Sequence, residues 1–372
     1  MKNILVVKLS AIGDVIHALP VSYAIKETYP DAHLTWVVEP PAYELLTMNP
    51  CIDEIIRFEK KEFKSIGGFL SHYGPLRRRI RQRSYDAVLD LQGLFKSAAI
   101  ARLAKAPVKL GMCNMREFSD RISKPVVGPN AGGHIVERYL DVARAIGCRV
   151  ENVVFPLTVP ECEEDLTRRI FSQAGADMGN PYVVFAVGAN WPNKRWPTES
   201  FAALGDWLYE HRLIPVLVGG GPVDEQRAAE ICAQTEIPPI NLVGRTNFKQ
   251  LTCVLQNARI VVGGDTGPVH LAAGVGAPTI MLMGPTDANR NGPYGQLEHA
   301  IEADRPCRHC WKRACPKGLD CLAAISVQQA EQKISALLSE KSTWKKKEVK
   351  SGYPFQAAFA AQNVLGRYSA GS

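Results

Sequence analysis

The sequence predicts an α/β protein built as two units of parallel sheet and crossover helix that face one another across a cleft. Three observations carry this. Strand-like apolar runs alternate with helical patterns almost throughout, the alternation comes in two series, and a proline-bearing stretch, VVFPLTVPECEED, separates the series. A length of 372 residues also suits two domains of ordinary size plus a tail.

The first series opens with the short apolar run ILVV, long enough for a buried strand, and continues into the helical pattern DVIHALPVSYAIKET. AHLTWVV and YDAVLDLQG are its next strands, and FKSAAIARLAK its next helix. The second series starts at PYVVFAVGA and alternates through helix TESFAALGDWLYEHR, strand IPVLVGG and helix VDEQRAAEICAQ to ARIVVGGDTGPVHLAAGVGAPTIMLMG. VQQAEQKISALLSEK is amphipathic and helical. The basic, weakly patterned TWKKKEVKSGYPFQAAFAAQNVLGRYSAGS follows it, expected to be loosely held, with FQAAFAAQNVL compatible with a docked helix. The predicted division is therefore an N-terminal domain over 1–155, a linker region over 156–180, a C-terminal domain over 181–325, a helix over 326–341 and a tail over 342–372.

Hydrophobic content of 46% with 22% charged residues is that of a globular protein, and no segment joins transmembrane length to freedom from breakers. Lys8 and Asp14 interrupt the N-terminal apolar stretch and leave too short a core for a signal peptide, so a cytoplasmic location is expected. The net charge of +7 is uneven: residues 1–160 hold 22 Lys+Arg against 16 Asp+Glu, +6, and the rest 22 against 21, +1. An acidic partner is expected to meet the N-terminal half, where LRRRIRQRS, with Arg77, Arg78 and Arg79, is either a solvated helix face or a binding patch.

The ten cysteines fall into six scattered singles, which suit a reducing compartment, and one cluster, CRHCWKRACPKGLDC. Cys307, Cys310, Cys315 and Cys321 are spaced as C-x₂-C-x₄-C-x₅-C, a set of thiolates suited to structural zinc or iron, with His309 as a substitute ligand.

The strongest site signal is IVVGGDTGPVHLAAGVG, a strand ending in glycines that feeds a helix through Thr266-Gly267-Pro268. Free amides and the positive helix end there can hold a diphosphate, while Asp265 is expected to cap the helix or accept from a ligand hydroxyl or amine, with His270 one turn on. Gly263 and Gly264 permit close backbone approach. VGANWPNKRWP places Asn190, Lys194 and Arg195 at the carboxyl end of a strand, where open α/β sheets bind ligands and a cation can neutralise a departing diphosphate. In VGGGPVDEQR, Asp224 or Glu225 is a candidate acceptor for ribose or sugar hydroxyls. The loop KLSAIGDVIHALP, in contrast, contains neither G-x-x-x-x-G-K-[ST] nor G-x-G-x-x-G, and Asp14 sits where phosphate loops keep bare amides.

Taken in order, KLSAIGDVIHALP, WVVE, DLQGLFKSA, NKRWP and GGDTGPVHLAA resemble the landmark segments of glycosyltransferase family 9, the ADP-heptose:lipopolysaccharide heptosyltransferases. WVVE and DLQGLFKSA look closer to the branch that adds heptose to Kdo on lipid A. The resemblance implies a GT-B fold of two Rossmann-like domains, acceptor on the first and ADP-sugar on the second. It implies inverting transfer from ADP-L-glycero-D-manno-heptose to the Kdo/inner core, with no cofactor for the chemistry.

By position, Asp14 then matches the catalytic base, Lys194 the phosphate-binding lysine, and Asp265, Thr266, Gly267 and His270 the donor-binding turn. Asp224 falls where the family can have a glutamate on the nucleotide. Gly13 is expected to give an acceptor sugar close access, and Arg77, Arg78 and Arg79 to hold a phosphorylated acceptor at an anionic inner-membrane surface. Two departures stand out: Ala189 and Asn190 replace a hydroxyl pair, and the cysteine cluster occurs in only part of the family, which makes it structural. Two rival readings remain at this point. One is a nucleotide-sugar epimerase or dehydrogenase, for which the glycine fingerprint is missing. The other is a nucleic-acid-binding protein using LRRRIRQRS with a cysteine-rich zinc module, for which no aromatic stacking platform is evident, so no nucleic acid is expected.

Overall fold

A computed structural model describes residues 1–63 and 65–340; the tail expected over 342–372 lies outside the described residues. In the first half, strands β1 (Asn3–Val7), β2 (His33–Val38), β3 (Glu54–Arg57), β4 (Ala87–Asp90), β5 (Val108–Gly111) and β6 (Lys124–Pro125) alternate with helices α1 (Ile12–Thr28), α2 (Tyr43–Leu46), α3 (Ile66–Ile80) and α4 (Phe95–Leu103). Helices α5 (Ile135–Arg144) and α6 (Glu161–Gln173) follow. The second half holds β7 (Tyr182–Ala186), α7 (Thr198–Glu210), β8 (Ile214–Val218), α8 (Pro222–Gln234), β9 (Ile240–Asn241), α9 (Phe248–Asn257), β10 (Ile260–Gly264), α10 (Gly267–Gly274), β11 (Thr279–Met283), α11 (Ala288–Asn291), β12 (Ala300–Glu302) and α12 (Val327–Glu340).

Each half forms one six-stranded sheet, ordered β3-β2-β1-β4-β5-β6 and β12-β11-β10-β7-β8-β9, and every pairing is parallel. Read from its own first strand, the second sheet repeats the topology of the first. The two-unit α/β class expected from the alternation is the one observed. Central strands such as ILVV and YVVFA are buried on both faces, which is why they read as continuous apolar runs.

The order reverses between β1 and β4 and again between β7 and β10, so a crevice opens at the carboxyl ends of these strands in each half. The halves meet through α1, which is buried nearly all round because the first sheet takes one face while α5 and α10 take others. One apolar cluster therefore runs from Ile4 and Val15 through Leu140 to Val269 and Met281. Within the stretch read as a linker, α6 packs on α9 and buries Phe171 in the same cluster. Helix α12 packs on α7, with Ile334 and Leu337 closing the outer face of the second sheet.

Candidate active site

The first wall grows out of β1. Its chain runs into Lys8, whose ammonium is buried, donates to Leu91 O at 3.1 Å and to the Tyr139 hydroxyl at 2.8 Å, and is pushed down in pKa by that burial. The loop beyond is held by the DLQG segment: Gln92 Oε1 accepts from the amides of Leu9 and Ser10 at 3.1 and 3.0 Å. Asp90 in turn accepts from the amides of Gln92 and Gly93 and from the Ser97 hydroxyl, although its burial pushes its own pKa up. Glu39 of WVVE and Lys96 of FKSA pair at 2.5 Å, and Lys96 also donates to Ser10 Oγ at 3.3 Å. Two other motif segments, DLQGLFKSA and WVVE, thus converge on this loop.

That loop delivers Asp14. As the third residue of α1 it reaches back to its own helix start, accepting from the Ala11 amide through Oδ2 at 3.2 Å, and it lines the cleft half-buried. Gly13 also lines the cleft, but the space beside its Cα is occupied: a Cβ there would come within 2.9 Å of His270 Cδ2. The glycine lets α1 and α10 approach one another.

The second wall centres on Asp265. Its Oδ1 accepts from His270 Nε2 at 2.7 Å, and its Oδ2 from Lys194 Nζ at 2.5 Å and Thr286 Oγ1 at 2.7 Å. Burial alone pushes this carboxyl up, but the His270 and Lys194 contacts outweigh it and hold the group well below the usual carboxylate range. Helix α10 starts instead at Thr266, so Asp265 fixes two cleft side chains rather than capping the helix. Lys194 also lies over the Trp191 ring at 4.3 Å. The close backbone approach expected at Gly264 is made by the chain itself. A Cβ on Gly264 would fall 2.0 Å from Lys194 O, so the missing side chain admits the NKRWP loop, and through it Lys194, against β10. Asp224 closes on the turns after β7 and β8, its Oδ2 accepting from the Gly220 amide at 2.9 Å.

The two walls touch through histidines. His17 on α1 meets His270 with Nε2 and Nδ1 at 3.0 Å, rings 4.1 Å apart. The hydrogen-bond network assigns the protons: His270 Nε2–H serves Asp265 and His17 Nε2–H serves His270, leaving His17 Nδ1 buried with no partner among the described residues. Burial, reinforced by His270 and His134, pushes the His17 pKa far down. His134, at the start of α5, bonds Gly292 O across the halves at 3.0 Å, and burial lowers its pKa to about 4.

Asp14, Asn190, Lys194, Asp224, Asp265, Thr266, Gly267 and His270 all line one cleft of about 1230 Å³ between the halves. Arg77, Arg78 and Arg79 do not line it: they are exposed near the end of α3, where Arg79 pairs with Glu54 at 2.7 Å. Nor do the cysteines, which follow β12. Backbone amides of Leu319 and Lys317 lower the Cys315 thiol, whereas burial and the other three clustered thiols raise that of Cys321. Among the described residues, the group of three ligand-type side chains with donor atoms within 4.8 Å of one another is Asp287, Glu302 and His309. His309 is accordingly bonded to Glu302 at 2.7 Å rather than joined to the thiols. Lys8, His17 and Thr286 are cleft-side residues the sequence did not single out; Lys8 alone left a signal, a charge ending an apolar strand.

Comparison with known proteins bears on this geometry. The family described as glycosyltransferase family 9 (heptosyltransferase) matches residues 74–319. Lipopolysaccharide heptosyltransferase 1 of Pseudomonas aeruginosa is 32% identical over 326 residues, 84% of this chain and 87% of that protein. The crystal structure of a family 9 glycosyl transferase from Veillonella parvula superposes with a TM-score of 0.80 at 26% identity, covering 91% of this chain and 98% of that one. E. coli heptosyltransferase WaaC with ADP superposes with a TM-score of 0.68 at 26% identity, covering 90% and 99%. A sequence match that spans both halves, joined to the doubled sheet topology and the cleft between them, places the chain in glycosyltransferase family 9, the heptosyltransferases.

Proposed function

We propose that this glycosyltransferase moves heptose, with inversion, from ADP-L-glycero-D-manno-heptose to the Kdo-bearing inner core of lipopolysaccharide, with Asp14 as the base. The observation that carries the reading is the placement of Asp14 and of the Lys194–Asp265–His270 group on opposite walls of one cleft. The relatives named as lipopolysaccharide heptosyltransferases, and the solved WaaC with ADP, support the donor and acceptor.

In this reading the diphosphate lies against the start of α10, at Thr266 and Gly267, within reach of Lys194, and Asn190 and Asp224 flank the nucleotide. The acceptor hydroxyl oxygen attacks the anomeric carbon from the opposite face, its proton passes to Asp14, and the bond from that carbon to the diphosphate oxygen breaks, releasing ADP. Lys194 and the free amides of α10 stabilise the charge that builds on the departing ADP. The Ala11 amide fixes one Asp14 oxygen and leaves the other for the hydroxyl. No metal enters these steps.

The acceptor side is proposed to meet the cytoplasmic face of an anionic membrane through α3. Ile66 and Leu70 are 83% and 72% exposed, and with Phe69 and Tyr73 they form a helical stripe that leads into Arg77 and Arg78. The four clustered cysteines are proposed to hold a structural zinc or iron, on the strength of four thiols spaced C-x₂-C-x₄-C-x₅-C within one loop.

The test is transfer to Kdo-lipid A presented in anionic vesicles, with ADP-heptose run beside ADP-glucose and UDP-sugars at low and high salt. Product is expected from ADP-heptose, at a rate that falls as salt rises. Preference for another donor would retire the sugar assignment, and salt-insensitive turnover the α3 assignment.

A further inference from the structure

One charged side chain in the cleft has no task in the scheme above. Arg290, on the short helix α11, lines the cleft half-buried, and its Nε is buried with no hydrogen-bond partner among the described residues. A buried N–H donor left unpaired is costly unless something else satisfies it. Asp14, Arg116 and Tyr139 of the first half line the same cleft, and these three with Arg138 are the charges that act on it. Arg290 is thus a cation carried by the donor half in a cleft it shares with the base.

Trp311 holds it there. The guanidinium carbon lies 4.4 Å from the Trp311 ring centroid, a stacked cation–π contact. Trp311 sits inside the cysteine loop, which is pinned to the turn before α11 by hydrogen bonds from the His309 amide to Gly284 O at 3.0 Å and from the Trp311 amide to Pro285 O at 2.8 Å. The Asn193 side-chain Nδ2 donates to Lys312 O at 2.7 Å and ties the same loop to the segment bearing Lys194.

We propose that Arg290 binds the carboxylate of the acidic acceptor sugar beside Asp14, and that Trp311, carried by the cysteine loop, is its positioning residue. This gives the loop a part in acceptor recognition, and it rests on the acceptor reading given above. A planar fork of donors matches a carboxylate, and its place beside the base would fix the acceptor sugar with its hydroxyl at Asp14.

The test is steady-state transfer to Kdo-lipid A by Arg290→Ala, Arg290→Lys, Trp311→Ala and Trp311→Phe, with ADP affinity measured by calorimetry on each. Arg290→Ala is expected to raise the acceptor KM by about ten- to a hundredfold, the size of a lost charge-assisted hydrogen bond, with ADP affinity unchanged. Arg290→Lys should recover part of the loss. Trp311→Ala should move the acceptor KM in the same direction, and Trp311→Phe, which keeps a ring face, should restore it. An unchanged acceptor KM in folded Arg290→Ala would overturn the assignment, as would ADP affinity falling in step, which would give the guanidinium to the donor's diphosphate. If Arg290→Ala does not fold, Arg290→Lys and Trp311→Phe decide by the same split. A wild-type chain that transfers nothing to this acceptor overturns the acceptor reading and this proposal together, whereas a normal wild type with an indifferent Arg290 removes this proposal alone.

Discussion

Asp265 shows how one buried carboxylate orders a site. It fixes a lysine, a histidine and a threonine at once, and the histidine contacts His17 of the other half. Such a network is stable only while its histidines keep the protons assigned to them. His134 makes the pH consequence measurable. Its folded pKa is about 4 against an ordinary value of 6.5, so between those limits the unfolded chain binds a proton that the folded chain refuses. Stability should therefore be full above pH 6.5 and fall as pH drops through that window, by roughly 2 kcal/mol at pH 5 and about 3 kcal/mol once pH 4 is passed. His17 acts in the same direction, whereas Asp265, with a depressed pKa, withdraws its own contribution only in stronger acid. Melting temperature followed from pH 7 to 5 should fall, and the slope should flatten in His134→Gln. A flat profile in the wild type, or an unaltered slope in the variant, would contradict this.

At the scale of elements, the loops after β1, β4, β7, β8 and β10 make the site, and they were legible in unequal degree. DLQGLFKSA and WVVE were legible only as landmark segments of the family resemblance, and the structure shows what their polar residues do: Gln92 holds the Leu9 and Ser10 amides, and Glu39 holds Lys96. Alternation gave both sheets, since buried parallel strands leave continuous apolar runs. The glycines were the harder residues. Gly13 read as access for an acceptor sugar, yet His270 fills the space beside it, and the backbone that approaches Gly264 is the chain's own Lys194 carbonyl, because a missing side chain does not say what occupies its space. His17 and Arg290 left no local signal: their meaning comes from contacts across the cleft, 253 residues apart in the case of His17 and His270. The cysteine loop was visible as a spacing, but its link to the cleft through Trp311 was not. If its four thiolates share one tetrahedral ion, protein purified without added metal should contain about one zinc or iron per chain, and Cys315→Ser should lose it. Metal-free protein with four titratable thiols would remove the assignment.

The whole molecule is one topology used twice, with the cleft where the two reversal points face each other. Helices α1 and α10 pack across it so closely that Gly267 has Ile12 and Gly13 as neighbours, so each half supplies a wall that the other completes. The central claim is a division of labour: a base on the first wall and a nucleotide site on the second. It is tested most directly by measuring ADP affinity and heptosyl transfer together in Asp14→Asn and Lys194→Ala. An asparagine Oδ1 can still accept from the Ala11 amide, so Asp14→Asn should stay folded and keep its ADP affinity, yet lose about a hundredfold or more in transfer. Lys194→Ala should lose both, with transfer down by about a hundredfold or more. An Asp14→Asn enzyme of equal stability that transfers heptose at the wild-type rate, or that loses ADP binding as Lys194→Ala does, would contradict the account.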